Sequence, residues 1–182
     1  MNPLRRALLT GLTSPASARG VSSNVRPHMN ILGPALHRQE ECEAVLRSLP
    51  KWFGIEEALL MYARDSGSMP TFAVEKEATV RAFITLQEHF PESWEVHCIA
   101  VHADCRGQGH GSTLLAHAES WLVERGCRFL QVKTIAATKE DPYYAQTRAF
   151  YMARGYTPLE IFPNLWHPRN PALQLVKRVG VA

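Results

Sequence analysis

Arg106-Gly107-Gln108-Gly109-His110-Gly111 is the stretch whose reading decides the fold. It lies between residues 95–101, an apolar and β-branched run that predicts a strand, and residues 112–124, whose apolar periodicity predicts a helix. A glycine-rich turn that opens a helix is an anion site. The first N–H groups of a helix have no internal partner, and the helix dipole favours negative charge there. Gly107, Gly109 and Gly111 carry no Cβ, so the backbone can approach a phosphate closely. The stretch is not a Walker A loop, because no Gly-Lys-Ser/Thr follows, and it is not a full G-x-G-x-x-G dinucleotide fingerprint.

Downstream of this stretch, Leu114, Leu115, Ala118, Trp121 and Leu122 fall on one helical face, and Gly126 is a suitable terminator. Residues 129–135 predict a strand, 147–154 a helix stopped by Gly155, and 173–179 a last strand. Upstream, Ala44, Val45 and Leu49 recur at helical spacing over 40–49, and Pro50 ends that helix. A second helix is predicted over 55–64, followed by the loop Asp65-Ser66-Gly67-Ser68. Residues 71–75 and 79–87 read as strands separated by a hairpin turn at Glu75-Lys76-Glu77. The order is two helices, three strands, helix, strand, helix, strand, with no internal repeat: a mixed α/β chain.

At 182 residues, 46% apolar and 20% charged, the chain can build one domain with a real core. No apolar run approaches the roughly 18 residues that span a bilayer, so no membrane partner is expected. Cys42, Cys98, Cys105 and Cys127 form no C-x-x-C pair. They read as reduced thiols of a cytoplasmic protein rather than a disulfide framework or a zinc site, and no metal is expected. Cys105, beside the glycine stretch, is either redox-sensitive or a bystander. The net charge is +3, but residues 1–28 hold Arg5, Arg6, Arg19 and Arg26 and no acid; removing these four leaves −1. With no basic stripe, nucleic acid is not an expected partner. Residues 1–28 are rich in Ser, Arg, Pro and Ala, and three readings stay open. They are a disordered tail, an organellar transit peptide, or a misassigned start ahead of Met29. Residues 29–182 then form a single domain.

Arg106 to Gly111 fits R-x-x-G-x-G, and Ala149-Phe150-Tyr151-Met152-Ala153-Arg154-Gly155-Tyr156 fits A-x-x-F/L-Y-x-x-x-G-F/Y in its Phe-Tyr-x-x-x-Gly-Tyr part. These two motifs, in this order and about 40 residues apart, resemble those of the GNAT acyltransferases. The closing Leu165-Trp166 and Asn170-Pro171-Ala172-Leu173 also resemble bacterial members. The resemblance covers about residues 30–180. It implies a mixed, mostly antiparallel sheet with helices on both faces, and acetyl-CoA as co-substrate. It also implies that the strand before the loop splays from its neighbour, so that Ile99, Ala100 and Val101 offer backbone groups to the pantetheine arm. A backbone N–H there would stabilise charge on the thioester oxygen. The pyrophosphate would lie on Arg106, Gly107, Gln108, Gly109, His110, Gly111 and Ser112.

Acetyl transfer to an amine makes two proton demands. A lysine-like amine titrates near 10.4 and must be neutral to attack, while the departing thiolate, of a kind that titrates at roughly 8.5, needs a proton. By the resemblance, Tyr151 is the acid at the sulfur. Glu95 and His97 are the candidate bases. Strict alternation places them on one face with Ile99 and Val101, and Glu95 stands eleven residues before Arg106, as in the histone acetyltransferase branch. Many relatives use a water relay instead. Tyr144 stands seven residues before Tyr151, where relatives often carry a cofactor-touching Asn. With Tyr143 it lines the acceptor pocket, stacks on the cofactor, or anchors a loop. Trp52, Phe53 and Trp166 are candidates for the acceptor wall. The expected activity is N-acetyl transfer from acetyl-CoA to a small-molecule or peptide amine. The alternatives are a non-catalytic acyl-CoA sensor and a nucleotide-binding module, the latter lacking a phosphate-gripping Lys or a ribose-binding acid. Glu40, Glu41, Glu43, Glu56 and Glu57 in the first helices suit a cationic acceptor or simply a solvated face. A homodimer is compatible with the sequence but not required by it.

Overall fold

The computed structural model describes residues 30–34 and 37–180. In chain order these form β1 (Ile31–Leu32), α1 (Gln39–Arg47), α2 (Glu56–Asp65), β2 (Thr71–Lys76), β3 (Thr79–Phe90) and β4 (Ser93–Val101). A 3₁₀ turn (Ala103–Cys105), α3 (His110–Val123), β5 (Phe129–Ile135), α4 (Pro142–Met152), β6 (Thr157–His167) and β7 (Asn170–Arg178) follow. The strands make one seven-stranded sheet in the order β1-β2-β3-β4-β5-β7-β6, antiparallel throughout except for the β4–β5 pair. The mixed, mostly antiparallel sheet expected from the sequence is the one observed. The readings of residues 1–28 lie outside the described residues.

Helices cover both faces of the sheet. On one, Leu114, Leu115, Ala118 and Leu122 of α3 meet Ile84, Leu86, Trp94, Val96, Leu130 and Leu175. Each large apolar side chain taken from water there contributes about 1.5–3 kcal/mol. On the other, Val45 and Leu46 of α1 and Leu59 and Ala63 of α2 cover Ala73, Phe83, Cys98 and Ala100.

β4 changes which of its alternate residues face each core, because it carries a bulge. Leu86 pairs with Val96, but the next residue back on β3, Thr85, pairs with Cys98. His97 is left as the extra residue. Before it, Trp94 and Val96 face α3; after it, Cys98 and Ala100 face the α1–α2 side, and Ile99 and Val101 pack towards α3. This corrects the alternation reading. Glu95 and His97 do not share a face with Ile99 and Val101.

Two strands escaped the sequence reading. β1 has two residues, and β6 contains Pro158 and Pro163, which argue against a strand. β6 tolerates them because it is the sheet edge and pairs only with β7. The last strand also starts earlier than 173, at Asn170. Helix α4 begins at Pro142 rather than 147. Asp141 accepts hydrogen bonds from the Tyr143 and Tyr144 N–H groups at 2.9 and 3.1 Å, and Pro142 needs no donor in the first turn.

The β2–β3 turn is Glu77-Ala78 rather than Glu75-Lys76-Glu77, since pairing continues to Lys76↔Thr79. Both turn residues are left-handed, with φ of 53° and 58°. Such a two-residue turn favours Asn-Gly. Glu77→Asn combined with Ala78→Gly is expected to raise Tm by about 2–4 °C, the shift that roughly 1 kcal/mol gives a chain of this size. A thermal melt with unchanged Tm would show that the pair carries no strain.

Candidate active site

The β4–β5 ladder runs from Ser93↔Phe129 to Val96↔Val132 and stops. Beyond it the strands diverge. Ile99, Ala100 and Val101 stay paired with β3 on one side and have no strand partner on the other. A cleft of about 440 Å³ opens in this gap, lined by all three, by Lys133, Thr134 and Ile135 of β5, and by side chains of α2, α4 and the α1–α2 connection. Thr134 Oγ1, on the cleft wall, is buried without a hydrogen-bond partner.

The glycine stretch enters α3 at the cleft mouth, where Arg106 and Gly111 line the wall. Gly109 is the residue before the helix, with φ of 88°, and Gly107 has φ of 74°. Nothing lies near a Cβ at either position, so glycine is required for conformation, not space. The first intrahelical bond is Thr113 N–H to Gly109 O at 3.0 Å, so the Gly111 and Ser112 N–H groups precede the helical ladder. Gln108 donates to the Asp104 carbonyl at 3.1 Å, which pins the loop. Burial and nearby Lys76 hold the His110 pKa down, which favours the neutral ring at the helix start.

A cation that the sequence reading missed stands behind this loop. The Arg154 guanidinium lies 3.7 Å over the Phe150 ring and donates to Ser112 Oγ in the first turn of α3. Its signal was the charge four residues after Phe150, a helical neighbour. Arg106 itself stacks 4.0 Å over Trp52 and donates to Gln146 at 3.3 Å.

Tyr151, in the last turn of α4, lines the cleft although its side chain is otherwise buried between Phe150 and Tyr156, at ring distances of 5.2 and 5.3 Å. Burial pushes its phenol above the ordinary tyrosine range, so the proton is retained at neutral pH. Tyr144 also lines the cleft. Its hydroxyl donates to the Trp52 carbonyl at 2.8 Å, and burial pushes its pKa up to about 12. The Tyr144 hydroxyl thus ties α4 to the α1–α2 connection. Trp52 is held further by its Nε1–H to Thr147 Oγ1 at 3.1 Å and by the Tyr143 ring at 4.9 Å.

The two candidate bases differ. Glu95 is buried and does not line the cleft; its carboxylate is hydrogen-bonded to His89 Nε2 at 2.8 Å and ion-paired with Lys133. His97 lines the cleft, and its Nε2 lies 2.9 Å from Asp65 Oδ2 at the end of α2. An ionised carboxylate only accepts, so Nε2 carries the proton of this hydrogen bond. Asp65 was read as a loop residue; nothing in the sequence marks a pairing across 32 positions.

Among the described residues no group of His, Cys, Asp or Glu is arranged to hold a metal ion, and no helix is long and apolar enough to cross a membrane. All four cysteines are free and buried.

Several solved structures share this architecture. A GNAT-family protein from Desulfovibrio desulfuricans superposes with a TM-score of 0.74 at 15% identity, over 84% of this chain and 99% of that one. An aminoglycoside 6'-N-acetyltransferase complexed with coenzyme A gives 0.67 at 16% identity, over 85% and 99%. The ribosomal-protein-S18-alanine N-acetyltransferase from Escherichia coli gives 0.64 at 20% identity, over 84% and 96%. At these identities the likeness establishes a shared fold. No curated protein matches the sequence significantly. Residues 36–156, however, match the acetyltransferase (GNAT) family over most of the sheet and both motif segments. That match spans well over half of the sequence, and the chain belongs to the GNAT acetyltransferase family.

Proposed function

We propose that this acetyltransferase moves the acetyl group of acetyl-CoA to a primary amine by direct attack on the thioester, with His97 as base and Tyr151 as proton donor. The observation that carries the reading is that both side chains line one cleft, opened by the β4–β5 divergence at the mouth of the glycine loop. The fit to the co-substrate is physical. The slot beside Ile99, Ala100 and Val101 offers strand-like backbone partners to an amide-bearing arm. The loop from Arg106 to Ser112 offers N–H groups and a helix dipole to a pyrophosphate. Arg154 adds a positive charge behind them.

The neutral amine nitrogen attacks the acetyl carbon, and the carbonyl oxygen takes up the negative charge near the unpaired β4 backbone. As the C–S bond breaks, the Tyr151 hydroxyl hydrogen-bonds the forming thiolate and supplies its proton, and the phenolate regains a proton from solvent as His97 gives one up, so both side chains end as they began. The ammonium proton passes to His97 Nδ1, with Asp65 stabilising the imidazolium. Glu95 acts at one remove, holding Lys133 at the point where the strands part. Four free, buried thiols support a reducing compartment such as the cytoplasm.

The test is calorimetric titration of acetyl-CoA, and separately of NADP and ATP, into the full chain. Thiol release with an amine panel follows. Selective acetyl-CoA binding and amine-dependent release are expected; a folded protein that ignores acetyl-CoA would sink the proposal. Gly109→Ala forces a Cβ into left-handed backbone, at about 1–2 kcal/mol. It is expected to weaken acetyl-CoA binding about tenfold, since 1.4 kcal/mol is a decade in affinity. Arg154→Ala is expected to weaken it by several-fold, more at low salt than at high salt. Unchanged affinity in both would remove the loop from the cofactor grip.

A further inference from the structure

We infer that the acceptor is a small primary amine with an aromatic or bulky apolar body and a single positive charge, not a polycation; this rests on the acetyltransferase reading above. The acceptor half of the cleft is walled by Trp52, Phe53, Ile55, Met61, Tyr62 and Trp166. Three of these are held in solvent although apolar: Ile55 is 60% exposed, Trp166 46% and Met61 36%. A concave apolar wall that stays wet gains by covering itself with an apolar ligand. The rings are ordered. Phe53 meets Tyr62 edge-on at 5.9 Å, and Tyr62 meets His97 at 5.2 Å, so aromatic surface leads up to the proposed base.

Charge points the same way. Among the described residues lining the cleft there is no Asp or Glu, while Arg106 is there, and so is Lys133, whose charge Glu95 balances from behind the wall. A polyamine or an aminoglycoside brings further ammonium groups that need carboxylates. The glutamates of the first helices do not provide them. Glu41 is paired with Arg38, Glu43 and Glu56 are paired with Arg47, and none of these, nor Glu40 or Glu57, lines the cleft. The cleft of about 440 Å³ must also take the acetylated end of the pantetheine arm, so the part of the acceptor that enters it is small.

The experiment compares kcat/KM at saturating acetyl-CoA for 2-phenylethylamine and tryptamine against spermidine, kanamycin and an alanyl dipeptide amide. Acetyl-CoA binding is measured by calorimetry on the same protein. The aromatic monoamines are expected to lead by about tenfold or more, the discrimination an apolar pocket gives. Met61→Glu puts a carboxylate on the exposed wall and is expected to move the spermidine-to-phenylethylamine ratio about tenfold towards spermidine. Failure to bind acetyl-CoA would overturn the acetyltransferase reading itself. Binding followed by a preference for the polycations or the peptide, by no preference, or by no acetylated amine would overturn this inference alone.

Discussion

Tyr151→Phe is expected to lower kcat about 10²- to 10³-fold, the usual worth of a positioned proton donor, while acetyl-CoA affinity stays within about twofold. The substitution removes one oxygen and leaves the ring between Phe150 and Tyr156, so the α4 packing survives. The Tyr151 hydroxyl makes no hydrogen bond to the described residues, and the bonds from Arg154 N–H and Tyr156 N–H go to its backbone carbonyl, so loss of the hydroxyl strands no protein partner. The pH dependence has a definite sign. Burial raises the phenol, so the protonated form persists above the ordinary tyrosine value of about 10. The wild-type rate should therefore show no alkaline fall attributable to Tyr151 below that pH. A Phe variant with full turnover removes Tyr151 from the mechanism.

His97→Ala is expected to lower kcat/KM about 10²-fold or more, with partial recovery on adding imidazole. Asp65→Asn should cost less, about tenfold, and should change the shape of the acid limb of the pH–rate profile. An amide can offer its N–H to the ring and stabilise the wrong tautomer, whereas a carboxylate only accepts. If Asp65 served only to hold the end of α2, Asn would leave the pH profile unmoved. If Glu95 were the base, Glu95→Gln would remove the acid limb and His97→Ala would not.

How far the sequence carried depended on the range of the interaction. The glycine loop, α3 and β5 were readable because their signals are local: φ-permissive glycines, a helical apolar stripe, and a β-branched run whose bounds match at 129–135. The N-terminus of α4 is also written locally, in the cap Asp141 and in Pro142, and lies ahead of the motif segment from which a helix over 147–154 is predicted. The bulge at His97 was not readable, because it is a property of how β4 pairs with β3. It altered the site most, since it separates the base candidates from Ile99 and Val101. The Glu95–Lys133 and His97–Asp65 pairs, 38 and 32 residues apart, likewise depend on tertiary placement. β6 was hidden by prolines that only an edge strand tolerates.

The guanidinium stacked 4.0 Å over Trp52 gives the protein an optical readout of its own loop. Trp94 and Trp121 meet edge to face within the opposite core, so their surroundings change little when the cleft fills. Trp52 sits where the anion-binding stretch and the acceptor wall meet. A phosphate that draws Arg106 away removes a positive charge from the indole face and shifts its emission. Comparing Trp52→Phe with the parent chain then isolates that signal. Stopped-flow fluorescence could time the arrival of the co-substrate without a label and without turnover, and show whether the acceptor enters before or after it.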